Sequence, residues 1–106
     1  MSVHRAFKGT ERAIAKRLGG DRVGHLGGAD VTIGGWLSVE CKHRRTVPAW
    51  LKNALAQSRR NAGVSQLAVA IIHEEGQRHD GDLVLMTLAD FESWFGDNDK
   101  PGNKRD

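Results

Sequence analysis

The stretch Leu37-Ser38-Val39-Glu40-Cys41-Lys42 constrains this chain most. Apolar and polar side chains alternate with a period of two, the pattern of a strand with one face turned to a core. Leu37, Val39 and Cys41 share the apolar face, and Ser38, Glu40 and Lys42 share the other. A carboxylate and an ammonium two residues apart on one strand stand roughly 6.5–7 Å apart at their roots, a gap that can hold an ion and a phosphate. Asp30-Val31-Thr32-Ile33 precedes this stretch, and Gly34-Gly35 separates the two runs as a hairpin turn would. A two-residue turn would pair Asp30 with Val39 and send Asp30 and Glu40 to opposite faces. A three-residue loop, Gly34-Gly35-Trp36, pairs Asp30 with Glu40, Val31 with Val39 and Ile33 with Leu37. Only the second register puts the apolar residues of both strands on one face. The three-residue loop, or a bulge of equal effect, is therefore predicted. The meeting of Asp30 and Glu40 on the other face follows from it.

The remaining chain reads as alternating helices and short strands. Thr10 is placed to cap a helix running to about Leu18, stopped by Gly19-Gly20. Its apolar stripe is Ile14, Ala15 and Leu18. Glu11 lies on that same face, where a carboxylate needs a partner. Lys8, Arg12 and Lys16 line another face. Asp21 to Leu26 is a short strand broken by Gly27-Gly28. A second helix starts near Thr46 or Val47, with Pro48 in its first turn, and runs to about Asn61. Trp50, Leu51, Ala54, Leu55 and Ala62 form its buried face, bordered by Gln57. Leu67 to His73 reads as a central strand, Glu74 to Asp82 as a polar loop and Leu83 to Met86 as another strand. Thr87 and Asp90 have capping-box-like spacing ahead of Leu88, Phe91 and Phe95. A single domain over residues 1–95 is expected, with 96–106 as a frayed tail.

A chain of 106 residues suffices for one core. It has no apolar run long enough to span a bilayer, and its N-terminus lacks a signal-peptide core. One cysteine allows no internal disulfide, and a cytoplasmic location is expected. Charge is distributed unevenly. Residues 1–62 hold twelve Lys/Arg and four Asp/Glu, a balance of +8; residues 63–106 hold four and nine, a balance of −5. Such a split points to an anionic partner, with nucleic acid first. The acids that survive in the basic half are Glu11, Asp21, Asp30 and Glu40. Three of these four belong to the set built around the hairpin.

Helix, three strands, helix, two strands and helix, with acids on the first helix and both hairpin strands, resembles the PD-(D/E)xK nuclease superfamily. Within it the chain is most similar to small Holliday-junction resolvases of the archaeal type and their phage relatives. The matching residues are Gly9-Thr10-Glu11-Arg12, Asp30, Glu40-Cys41-Lys42 and Gln57, within about Lys8 to His73. Ala29 stands where the family's name has proline. The resemblance implies an α/β fold with a restriction-endonuclease-like core, a central mixed β-sheet flanked by helices in the order α-β-β-β-α-β-β-α. It implies a metal-dependent DNA endonuclease of DNA recombination, structure-selective for branched DNA and acting as a homodimer. Asp30 and Glu40 would bind Mg²⁺, with Mn²⁺ as substitute, because all-oxygen ligands favour these ions. The family adds the Cys41 backbone carbonyl as a ligand. Glu11 would serve a second ion or a metal-bound water, Lys42 would orient the water or neutralise the transition state, and Gln57 would position Lys42 or the water.

Lys8, Arg12, Lys16, His43, Arg44, Arg45, Lys52, Arg59 and Arg60 are the candidates for DNA contact, giving affinity without sequence choice. Other chemistries are disfavoured. Cys41 faces the core and is no nucleophile. The glycines from Gly19 to Gly28 lack the Walker pattern. His4, His25, His43, His73 and His79 show neither zinc-finger nor His-x-x-x-His spacing. Trp50 and Trp94 are expected in the core or an interface, while Trp36 is a candidate for base stacking. The competing readings are another nuclease of the same superfamily, cutting flaps, duplex or ends, and a non-catalytic DNA-binding module.

Overall fold

The computed structural model describes residues 3–22 and 30–96, with side chains from Lys8 onward. Helix α1 (Val3–Leu18) is followed by strands β1 (Asp21–Arg22), β2 (Val31–Ile33) and β3 (Leu37–Val39). Helix α2 (Ala49–Asn61), strands β4 (Ala70–Ile72) and β5 (Leu83–Leu85) and helix α3 (Leu88–Phe95) complete it. The order α-β-β-β-α-β-β-α is the expected one. The expected single mixed sheet is not what the described residues form. They make two antiparallel sheets, β1-β2-β3 and β4-β5, with no parallel pair. The contacts gather into two compact units, one ending at Arg45 and one beginning at Thr46. Among the described residues no helix is long and apolar enough to cross a membrane.

In the first unit α1 starts at Val3, eight residues before the Glu11 start that a Thr10 cap implied. Nothing from Val3 to Gly9 forbids a helix, and an interior glycine costs only about 1 kcal/mol. Thr10 thus lies inside the helix, and its hydroxyl meets His43 Nδ1 at 2.6 Å instead of capping. The helix stops as foreseen. Gly20 N–H donates to the Ala15 carbonyl (2.9 Å) and Gly19 N–H to Lys16 (3.4 Å), the paired bonds of a Schellman end, with Gly19 at φ +73°. Ala15, Val31 and Cys41 form the buried centre, with Ile14, Ile33 and Val39 packed against it. Val31 is wholly buried.

The hairpin register is the one that apolar patterning selected: Val31 faces Val39, Thr32 faces Ser38 and Ile33 faces Leu37, around a three-residue loop. The Asp30–Glu40 rung does not continue the ladder. Asp30 N–H donates to the Val39 carbonyl at 2.9 Å, so strand pairing ends at Val31–Val39 and Glu40 to Lys42 run on without a strand partner among the described residues. On the other edge Asp21 pairs with Thr32 and Arg22 with Val31. The rest of the strand expected as far as Leu26, and its Gly27-Gly28 break, lie outside the described residues.

The second unit departs further from expectation. Pro48 is the N-cap of α2, its carbonyl accepting from Leu51 (3.1 Å) and Lys52 (3.3 Å). Leu51, Ala54, Leu55 and Ala62 are half-buried, but Trp50 is 58% exposed, so it is not the core residue its spacing suggested. Trp94 is also largely exposed, as is Trp36 at the hairpin loop. The apolar run at Leu67 yields only a three-residue strand, paired with β5 alone through Ala70–Leu85, Ile71–Val84 and Ile72–Leu83. Ile71, Leu83 and Val84 are exposed, so this is not the central, doubly covered strand that an unbroken apolar run implied. Ser58 Oγ donates to the Val69 carbonyl at 2.7 Å and ties α2 to the chain entering β4. Thr87 caps α3 as foreseen, its hydroxyl accepting from Asp90 N–H at 3.1 Å.

Two glycines of the first unit give opposite expectations. A Cβ on Gly9 would meet nothing within 4 Å, whereas one on Gly20 would sit 2.4 Å from the Thr32 carbonyl oxygen. Gly9→Ala should raise stability by about 0.5–1 kcal/mol. Gly20→Ala should lower it by about 1–3 kcal/mol, because β2 must give way. Urea denaturation midpoints of the two variants check the pair of signs.

Candidate functional site

Three segments of the first unit bring carboxylates toward one residue. Asp30 immediately precedes β2, Glu40 and Lys42 follow β3, and Glu11 lies on the buried side of α1. Asp30 is fixed by two bonds to the end of β3. Its N–H reaches the Val39 carbonyl, and its Oδ2 accepts from Cys41 N–H at 2.7 Å. Glu40 and Lys42 leave the extended chain on the same side, and Lys42 Nζ stands 3.8 Å from Glu40 Oε2. Both are well exposed, so the pair adds little stability and its ends can move. Glu11 is mostly buried and finds its partner in Arg22, with Nε 2.8 Å from Oε1. Glu11 sits in the third turn of α1, away from the helix N-terminus, so the helix dipole adds little to its charge.

The thiol of Cys41 reports the convergence. Burial pushes its pKa above the usual thiol range, and the charges of Asp30, Glu11 and Glu40 push it further in the same direction. All three carboxylates therefore act on one buried point, although their oxygens do not all lie within 4.8 Å of one another. Glu11 turns to Arg22 and Glu40 to Lys42. The chemistry on offer is that of hard anionic oxygens, with one ammonium and one guanidinium at their side. The donor set suits a hard divalent cation, provided that Glu11 and Glu40 exchange their present partners for it.

The other sequence candidates are distributed over both units. Arg12 and Lys16 are exposed on α1 and Lys8 is half-buried there. His43 contacts Thr10, and the Arg44 guanidinium donates to the His43 carbonyl at 3.1 Å. Arg45 is exposed, as are Lys52 and Arg60 on α2. Arg59 instead holds the start of α3, donating to Thr87 Oγ1 at 3.2 Å with Asp90 Oδ2 at 3.7 Å. Gln57 is exposed on α2, in the second unit.

One group escaped the reading of spacings. His73, His79 and Asp82 come together in the β4–β5 connection, with one ligand atom from each within 4.8 Å of the others. Their separation matches no helical motif. The usable signal was positional: His73 ends one apolar run and Asp82 opens the next, so a hairpin must set them face to face.

Compared with models of known protein families, with curated proteins and with solved structures, the chain matched none.

The convergence on Cys41 is open to direct measurement. A raised thiol pKa means less thiolate at a given pH, so alkylation should be slow near neutrality and accelerate only in alkali. Asp30→Asn removes one of the charges that raise the pKa, so its rate–pH profile should shift to lower pH. Asp80→Asn, which removes a charge that is not among those acting on the thiol, should leave the profile in place. Iodoacetamide labelling followed by mass spectrometry across a pH series reads both.

Proposed function

We propose that this chain is a metal-dependent DNA endonuclease of the PD-(D/E)xK type, acting on branched DNA as a homodimer. The observation that carries the reading is geometric: Asp30 Oδ2 is held on the Cys41 N–H at 2.7 Å, between Glu40 and Lys42 in the chain, and the Lys42 amine stands 3.8 Å from Glu40 Oε2. The order of elements and the Val31–Val39 register agree with it, as does the concentration of positive charge in residues 1–62.

A phosphodiester repels nucleophiles by its own charge, so hydrolysis needs an activated water and a sink for developing negative charge. A hard divalent ion such as Mg²⁺, or Mn²⁺ in its place, supplies both when bound. Asp30 and Glu40 are the residues to hold it, with the Cys41 carbonyl and Glu11 as further oxygen donors. Asp30 is pre-positioned, because the Cys41 N–H fixes Oδ2 and leaves Oδ1 to take another partner. Lys42, on a flexible exposed stem, stabilises the charge that grows on the phosphate. Arg44, Arg45, Lys8, Arg12 and Lys16 bind backbone phosphates. No residue reads bases, so the shape of the DNA selects the target, and two symmetric incisions need two copies of the chain.

A second reading has an observation in its favour. Glu11 and Glu40 already have cationic partners, as the acids of a purely DNA-binding module would. The two readings differ in products. Incubated with a four-way junction, a flap and linear duplex in Mg²⁺, the wild-type chain should cut the junction, and EDTA should stop it. Asp30→Asn and Glu40→Gln should abolish cutting while binding persists, and Lys42→Ala should slow it by about a hundredfold or more. Equal cutting by wild type and Glu40→Gln overturns the mechanism. Preference for flap or duplex moves the enzyme elsewhere in the superfamily, and binding without products favours the module.

Phosphate contacts have their own signature. Replacing Arg44 and Arg45 together by Ala should weaken binding on every DNA shape alike and reduce the slope of log K against log salt by about 2. Binding isotherms at several salt concentrations measure it.

A further inference from the structure

The geometry points to a second, chemically distinct ion site, in which His73, His79 and Asp82 bind a late first-row divalent metal such as Zn²⁺. The three come from one connection whose backbone brings them together. Ile72 and Leu83 form the last rung between β4 and β5, so His73 and Asp82 are the next residues on either strand. Asp82 N–H donates to the His79 carbonyl at 2.9 Å, folding the chain at His79–Gly81 back over that rung. A turn from Glu74 to Gln77 completes the loop, with Gln77 N–H on the Glu74 carbonyl at 3.1 Å.

The side chains are arranged as a chelate. His73 Nδ1 lies 2.6 Å from Asp82 Oδ1, and His79 Nδ1 lies 3.0 Å from Asp82 Oδ2. The two rings stack with centroids 4.2 Å apart and a 30° interplanar angle, so both Nδ1 atoms face the same carboxylate. Ligands of a tetrahedral Zn²⁺ with bonds near 2.0–2.1 Å lie about 3.3 Å from each other. The observed spacings fall short of that by well under 1 Å. The larger adjustment falls to His73, whose side chain is 35% exposed, and the smaller to His79, 81% exposed. With metal on each Nδ1, the neutral imidazoles carry their single hydrogen on Nε2.

Donor chemistry selects the ion. Two imidazole nitrogens and one carboxylate suit Zn²⁺ or Co²⁺, not the Mg²⁺ that all-oxygen ligands prefer. Three protein ligands leave a fourth position for water. A surface cavity opens beside Asp82, lined also by Glu74, Asp80 and Arg78, whose guanidinium stands 3.6 Å from the Asp80 carboxylate. Asp82 itself is only 13% exposed, which shields its bonds from competing water. Bound metal would pin both ends of the connection.

The test uses the full chain after chelator treatment and dialysis. Titration with Co²⁺ alone should produce visible d–d absorption of a four-coordinate ion, and Zn²⁺ alone should bind with one ion per chain by calorimetry and raise the melting temperature. His79→Ala, the variant least able to disturb folding, and Asp82→Asn should each weaken Zn²⁺ about tenfold or more, with unchanged circular dichroism. The double variant Asp30→Asn/Glu40→Gln should bind Zn²⁺ like wild type, which separates this site from the proposed nuclease centre. In ¹⁵N spectra both His73 and His79 Nδ1 should shift on Zn²⁺ addition. Absence of Co²⁺ absorption, Zn²⁺ affinity unchanged by His79→Ala, or loss of Zn²⁺ binding in the Asp30/Glu40 variant overturns the site.

Discussion

The hydrogen bonds of Asp30 hold the candidate centre in place. One residue uses its backbone N–H on Val39 and its carboxylate on Cys41 N–H. These bonds join the start of β2 to the end of β3 at the point where the ladder gives out. Without the second, the Cys41 N–H would face the interior unpaired, at a cost of about 1–3 kcal/mol. The arrangement sets Cys41 into the core beside Val31 and Ala15. The alternation of the chain then turns Glu40 and Lys42 outward together. Packing and site geometry are thus two results of one short piece of backbone pairing.

Where the sequence was informative, it was so because a single physical requirement left few choices. The hairpin register followed from the need to put Val31, Ile33, Leu37 and Val39 on one side, and the observed pairs obey it. The stop after Leu18 and the cap at Thr87 followed from local chemistry that needs no tertiary context. Errors came where local signals compete or depend on distant partners. Thr10 looked like a cap, yet a permissive upstream segment extended the helix through it. The unbroken apolar run at Leu67 suggested burial on both faces, but periodicity cannot say how many strands will flank a strand, and here there is one. Trp50 matched a buried helical face by spacing alone and is exposed.

The candidate site was legible to the same extent. The register brought Asp30 and Glu40 to the open end of the hairpin, but the rung expected between them does not form; the placement of Glu11 on the inward face of α1 followed from helical spacing. The partners of these acids did not. Arg22 reaches Glu11 from a two-residue strand with almost no periodic signal, and Arg59 reaches Thr87 and Asp90 across 28 residues of sequence or more. The two carboxylate environments also differ in kind. The acids around Cys41 arrive from three separate segments, whereas Asp82 collects its two imidazoles from its own loop, so one group depends on the fold of a whole unit and the other on a single connection.

Among the described residues every strand pair joins neighbours in the chain. Antiparallel meanders of this kind close short loops first and need no long crossover, which places such topologies among the faster folders. The hydrogen bonds that orient Asp30 involve nothing beyond Cys41. During synthesis, therefore, the segment carrying those bonds emerges ahead of the strands of the second sheet, and its pairing does not have to wait for them.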